Sequence, residues 1–370
     1  MNIILFLIVL AVLVLVHEFG HFIVAKKSGI RVDEFGLGFP PKIWSIKKGE
    51  TTYSLNAIPF GGFVKIFGEN PNEESVSGPN SGRSFVNKPR HIQATVLIAG
   101  IVFNLFFAWL LISISFLFGV TASSTDYAHY GDRLKDSHIV VTMVQKGAPA
   151  EKAGLKAGDT ILAVTTMAKA GPAGLNIEVE QVKKTISESL SKPISVLYSR
   201  EGKTMSAEMT ATTSLLAGKY AVGIAMENVG MLQLPIHLAI WEGGRLTIHA
   251  IGAVTVGLFD FVRNVVTGKA DFSTVSGPIG IVGLVGDAAR IGITHLLTFT
   301  AFISINLAII NLIPFPALDG GRLMFVAIEA IIRRPIKHSI ANALNMIGFA
   351  LLMLLMIIVT YKDIAKIVGN

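Results

Sequence analysis

The chain has 370 residues, 51% of them hydrophobic and 15% charged, with a mean hydropathy of +0.60, which is too apolar for a soluble protein of this length. Its net charge of +7 comes without Lys/Arg blocks or basic-aromatic interleaving, so no nucleic-acid partner is expected and the lipid bilayer is. The absence of cysteine excludes a disulfide framework, thiolate catalysis and any cysteine-based zinc site.

A transmembrane helix needs about 20 mostly apolar residues. The first candidate runs from Ile3 to Ala25 and ends in "LVLVHEFGHF". It lacks the basic leader and small-residue cleavage site of a signal peptide, and is read as a retained span. Residues 35–68 follow, Gly- and Pro-punctuated with short alternating runs, which predicts β-hairpins at the membrane interface and then a polar loop from Asn70 to Pro89. Ile92 to Val120 is the second span.

From Thr121 to Gln233 the composition turns soluble. Strand, turn and helix signals there predict one small α+β domain. Leu234 to Val266 is apolar but carries Glu242, Arg245, Asp260 and Arg263, and reads as an amphipathic helix lying on the membrane surface or against the helix bundle. A third span runs from about Leu296 into Ile332, interrupted by "NLIPFPALDGG", and a fourth covers Ala341 to Val359. Irregular backbone at membrane depth survives only where it is buried or lines a cavity, so the break marks a functional place.

The expected fold is a polytopic α-helical membrane protein of about four transmembrane helices, with an inserted α+β domain and a membrane-associated β-hairpin region. Its parts are 1–120, the soluble 121–233, the surface helix and linker 234–290, and 291–370. Lys26, Lys27 and Arg31, then Arg83, Lys88 and Arg90, then Arg333, Arg334 and Lys337 would face the cytoplasm together. The soluble domain is then outside.

His17-Glu18-Phe19-Gly20-His21 is an HExxH sequence. On a helix, positions i and i+4 share a face, so both imidazoles can reach one zinc ion, with Glu18 beside it as general base. Such groups inside a span cost about 2.5 kcal/mol or more each when unpaired, which favours a metal site over chance. A catalytic zinc wants a third protein ligand, and Asp319 is the carboxylate embedded in the broken stretch, where Pro314, Pro316, Gly320 and Gly321 permit tight turns. A helix-capping role for Asp319 is the other reading.

Intramembrane HEFGH, the distal "NLIPFPALDGG" and an inserted domain with "GAPAEKAGLKAGD" together resemble the site-2 proteases. Within them the chain is most similar to the bacterial regulated intramembrane zinc metalloproteases of the RseP type, along essentially its whole length. The resemblance implies Zn2+ held by His17, His21 and Asp319, and Glu18 as base. It implies substrate-side roles for Asn306 and Asn311. Asn104, in a family Gly-x-x-x-Asn pattern whose second position is Ile101 where many members have proline, is placed with them. Phe35 to Lys65, including Gly61, Gly62 and Phe63, resembles a β-loop whose strand edge could pair with an unwound substrate. The soluble domain resembles a circularly permuted PDZ domain, with Tyr220, Ala221, Val222, Gly223 and Ile224 beside its peptide groove.

The implied partner is a single-pass transmembrane substrate, an anti-sigma factor or remnant signal peptide, first trimmed by an upstream site-1 protease in a stress response. The implied location is the bacterial inner membrane, with the active site toward the cytoplasm and the PDZ-like domain extracytoplasmic. Two rivals stand beside this. One is a membrane-anchored zincin degrading soluble or misfolded proteins, with Glu329 as third ligand; the other is a non-catalytic PDZ-bearing receptor or transporter with structural metal.

Overall fold

A computed structural model describes residues 2–70, 72–166, 178–200, 202–216, 219–269 and 276–368. In chain order the elements are α1 (Asn2–Lys27), β1 (Val32–Lys48), β2 (Thr51–Ile66), α2 (Glu73–Ser77), α3 (Arg90–Phe118), β3 (Val120–Ser123), β4 (Leu134–Val144), α4 (Pro149–Lys152), β5 (Thr160–Thr166) and α5 (Val179–Ser187). There follow β6 (Pro193–Arg200), β7 (Lys203–Thr210), β8 (Thr212–Leu216), β9 (Lys219–Ala221), β10 (Ile224–Leu232), α6 (Ile236–Val266), α7 (Pro278–Ile291), α8 (Ile293–Leu312), α9 (Asp319–Ile332) and α10 (His338–Val368). The chain divides into two units, Met1–Ser115 with His237–Asn370, and Phe116–Ile236.

In the first unit, α1 is helical because no proline and no ionisable side chain interrupts it before His17. Its first half packs Val9 and Leu13 against Val285 of α7 and Phe299 and Ile303 of α8. Its last turn joins a second cluster, Ala25 with Ile66, Phe85, Val96, Leu97 and Val326. That cluster draws on α1, β2, α3 and α9, so the sequence-distant halves of the unit share one core.

The expected hairpins are one sheet made from two long bent strands. Glu34–Leu37 pairs with Thr52–Leu55 on one side and Gly62–Lys65 on the other, while Lys42–Lys48 pairs with Thr51–Asn56. Gly62–Lys65 is therefore an edge, unpaired on its outer side among the described residues. The loop expected from Asn70 to Pro89 contains α2, capped by Asn72, whose side chain accepts from the amide of Ser75.

Among the described residues, five helices are long and apolar enough to cross a membrane by length and composition, and α6, expected on the membrane surface or against the bundle, is one of them. The charges that argued against it are partly neutralised. Glu242 is buried and accepts from Arg245 Nε at 2.7 Å, beside a close contact of Gly243 with Ser113 of α3. Trp109 Nε1 also donates to the Ile240 carbonyl at 2.9 Å. Part of the expected linker is α7, a 14-residue helix packed on α1. Gly277 and Gly280 at its start donate their amides to Asp363 of α10. The broken third span is two helices, α8 and α9, separated by residues 313–318.

The second unit is a six-stranded sheet in the order β3-β10-β4-β5-β6-β7, with β8 and β9 as a separate pair. Val182 and Ile186 of α5 bury against Ile139, Val164, Ile194 and Val196. Buried Asp159 takes a fork from Arg200, with both oxygens at 2.7 Å. Burial alone would raise this carboxyl, but the hydrogen bonds from Arg200 and the Lys156 amide outweigh it and hold it below its ordinary value.

Candidate metal centre

The HExxH residues lie in the last three turns of α1, where i and i+4 put His17 and His21 on one buried face. Asp319 arrives from 302 positions downstream as the first residue of α9. The break before it lets α9 start close to the end of α8. Gly320 lies against the carbonyls of Leu312 and Ile313, and Gly321 against that of Phe315, so tightly that no Cβ fits at either position.

His17 Nε2 is 2.9 Å and His21 Nε2 is 3.3 Å from Asp319 Oδ2, and the two Nε2 atoms are 3.2 Å apart. A tetrahedral ion with bonds of about 2.0 Å separates its ligand atoms by about 3.3 Å. The three atoms thus form one face of such a polyhedron, and the donor set of two imidazoles and a carboxylate suits zinc.

What surrounds the histidines also fits a metal. His21 Nδ1 lies 2.8 Å from the Val96 carbonyl, which can only accept, so Nδ1 carries the proton and Nε2 presents its lone pair. His17 Nδ1 faces the amide of buried Asn104 at 3.1 Å. Gly100, between those two positions on α3, approaches both rings so closely that a Cβ would strike them. Residues 96, 100 and 104 are spaced by four and form one stripe of α3 laid along the histidine pair.

Glu18 shares a cavity of about 220 Å³ with His21 and Asp319, whose other walls include Phe63, Ile66, Phe85, Leu97, Glu69 and Arg322. Gly62, on the open edge of β2, passes over Glu18: a Cβ there would lie 3.6 Å from Glu18 Cγ. Gly61 is the left-handed residue beside it, at φ +95 against the Phe39 ring. The structure therefore brings Gly61, Gly62 and Phe63 to the same place as Glu18, His17, His21 and Asp319.

Other expected residues lie elsewhere. Asn104 is fully buried and meets His17, and Ile101, one turn before it, sits in an unbroken helix. Asn306 donates to the Phe302 carbonyl of its own helix at 2.8 Å, and Asn311 is half-buried in the last turn of α8. Glu329, the rival third ligand, is not near the histidines: it pairs with Arg90 Nη2 at 2.9 Å and accepts from the Ile336 amide at 2.9 Å. Gly100, Val96 and the Glu69–Arg322 ion pair were not singled out by sequence, since only packing gives them meaning.

In the second unit, Tyr220, Ala221, Val222, Gly223 and Ile224 line a groove of about 730 Å³ facing Ile186 and Lys183 of α5. β10 begins only at Ile224, so Val222 and Gly223 form the bend that enters it. β3 pairs with Val229–Leu232 alone, leaving the outer side of Ile224–Glu227 without a partner strand among the described residues.

The profile of peptidase family M50 matches residues 5–355. The chain belongs to peptidase family M50. A Clostridium perfringens protein provisionally named a zinc metalloprotease is 34% identical, with 98% of each chain covered. One of the same provisional name from Clostridium acetobutylicum is 32% identical, covering 98% of this chain and 97% of that one. The zinc metalloprotease RasP of Shouchella clausii is 28% identical over 98% of each chain. This M50 peptidase is thus a membrane-embedded zinc metalloprotease of the site-2 protease family with Zn2+ as its cofactor.

Proposed function

We propose that this M50 peptidase hydrolyses a peptide bond within or beside the transmembrane segment of a single-pass membrane protein, with His17, His21 and Asp319 holding zinc. The observation that carries the reading is the convergence of three ligand atoms within 3.3 Å of one another, two of them on a 26-residue apolar helix. The chemistry zinc supplies at such a site is polarisation of the substrate carbonyl and acidification of water. Glu18, in the adjoining cavity, takes the proton of the attacking water and delivers it to the leaving amine.

A transmembrane helix must unwind before it is cut, and its exposed amides then need partners. The open edge at Gly62–Lys65 would pair with that extended segment, bringing it past Glu18. Asn306 and Asn311 are proposed to receive its remaining polar groups. The second unit is proposed to be an extracytoplasmic PDZ-like domain that restricts access, its groove taking an extended strand at Ile224–Glu227. By likeness to the family, the setting is a bacterial inner membrane with the active site toward the cytoplasm. The substrate would be an anti-sigma factor or a remnant signal peptide already trimmed by a site-1 protease.

The test is incubation of the purified protein in detergent with candidate single-pass proteins, with and without a zinc chelator. Chelator-sensitive cleavage inside the apolar segment is the expected result. Cleavage confined to soluble or unfolded substrates would instead support the zincin reading.

A further inference from the structure

Assembly of the site depends on how α9 is held, because α9 delivers Asp319 to histidines on another helix. Ligand atoms must be kept within about 0.5 Å of working geometry. On one side the glycine contacts of Gly320 and Gly321 set the depth of the α9 start against the end of α8. On the other side α9 presents a single stripe, Asp319, Arg322, Val326 and Glu329, spaced by three, four and three residues. Each member of the stripe meets the N-terminal half of the unit. Asp319 meets His17 and His21, Arg322 pairs with Glu69 just after β2, buried Val326 enters the cluster with Ile66 and Leu97, and Glu329 pairs with Arg90 at the start of α3.

We infer that the Glu69–Arg322 and Arg90–Glu329 ion pairs are positioning pairs that bracket the α9 stripe and thereby set the zinc affinity of the His17, His21, Asp319 site. Val326 supplies burial but little direction, since apolar contact leaves a helix free to slide or turn by small amounts. Two ion pairs about two turns apart, one on each side of Val326, remove those freedoms. Both are partly buried, with side-chain exposures of 20% for Glu69, 36% for Arg322, 31% for Arg90 and 13% for Glu329, so losing one partner leaves a charge short of solvent and displaces the helix. Arg322 is one turn from Asp319, and Glu69 and Arg322 wall the cavity that holds Glu18, so its pair acts on the ligand more directly than Arg90–Glu329.

The inference rests on the assigned zinc site, and its test separates the two. The full-length protein in detergent is stripped of metal, and zinc affinity is measured by competition with a chromophoric chelator. Glu69→Gln and Arg322→Met are expected to weaken binding about tenfold, the range in which losing a group that orients a ligand is felt. Glu329→Gln should weaken it by a smaller factor. The exchanged pair, Glu69→Arg with Arg322→Glu, should return affinity to within about threefold of wild type, and Arg322→Lys, which keeps the charge, should stay close to it.

The control is Glu50→Gln, which breaks the Glu50–Arg83 fork, with N to O distances of 2.7 and 2.8 Å, outside the cavity. It should leave zinc affinity unchanged. Wild type that binds no zinc would remove the site itself. Wild type that binds while Glu69→Gln and Arg322→Met bind equally well overturns the inference alone, even if their melting temperatures fall. Loss that neither Arg322→Lys nor the exchange restores also overturns it.

Discussion

The side-chain amide of Asn104 stands 3.1 Å from Nδ1 of His17, while the other ring nitrogen, Nε2, meets Asp319. Nε2 of His17 can offer a lone pair to a metal only if Nδ1 carries the proton, and Nδ1–H then needs an acceptor. The structure turns Nδ2 of Asn104 to that nitrogen and leaves its buried Oδ1 without a partner; with the amide turned over, Oδ1 accepts from Nδ1–H, and which end of an amide faces a ring is fixed by that network. Asn104→Ala is therefore expected to weaken zinc binding about tenfold or more without removing a ligand. Chelator competition measures it, and Asn104→Asp, which keeps an acceptor, should recover most of the loss.

Gly100 makes a steric prediction. A Cβ there would fall 2.7 Å from His21 Cε1 and 2.8 Å from His17 Cε1, so Gly100→Ala must push one ring aside. Zinc content should drop below one equivalent and cleavage by at least about a hundredfold, the effect expected when an active-site group is misplaced by about 1 Å. Gly252→Ala, on α6 with open space around it, should change neither.

The second unit yields a pH prediction. The Asp159 carboxyl is held below its ordinary value in the folded state, so its contribution is complete above about pH 4, the unfolded value, and is lost as pH falls through the lower folded value. Hydrogen-exchange protection of the β5 and β6 amides should be flat from neutral pH to about pH 4 and decline below it. Asp159→Asn should lower stability by about 2 kcal/mol at neutral pH, because it leaves Arg200 without its charged partner, and should flatten the acid decline.

How far the molecule was legible beforehand differs from part to part. His17, Glu18 and His21 could be read because helical periodicity alone puts two imidazoles on one face. Asp319 could be read because prolines and glycines broke an apolar run around it. Asn104 was legible as a polar residue, but not its partner His17, which is chosen by the packing of α3 on α1. The charges of α6 were legible singly, but not that Glu242 is matched by Arg245 one turn on and that the helix lies against α3 at Ser113 and Trp109. Arg322, Glu69 and Gly100 look ordinary in sequence: an arginine, a loop glutamate and a helix glycine acquire a task only when four elements meet.

The claim at the centre of the account is that Glu18 moves the proton while His17, His21 and Asp319 hold the metal, and Glu18→Gln divides these roles with the smallest change of shape. Zinc content and the rate of cleavage of a reconstituted single-pass substrate are to be measured on the same preparation. The account predicts about one zinc per chain, as in wild type, and a rate lower by at least about a hundredfold, the scale of general-base catalysis. Cleavage near the wild-type rate by the zinc-loaded variant, or loss of the metal with the glutamate, would contradict it.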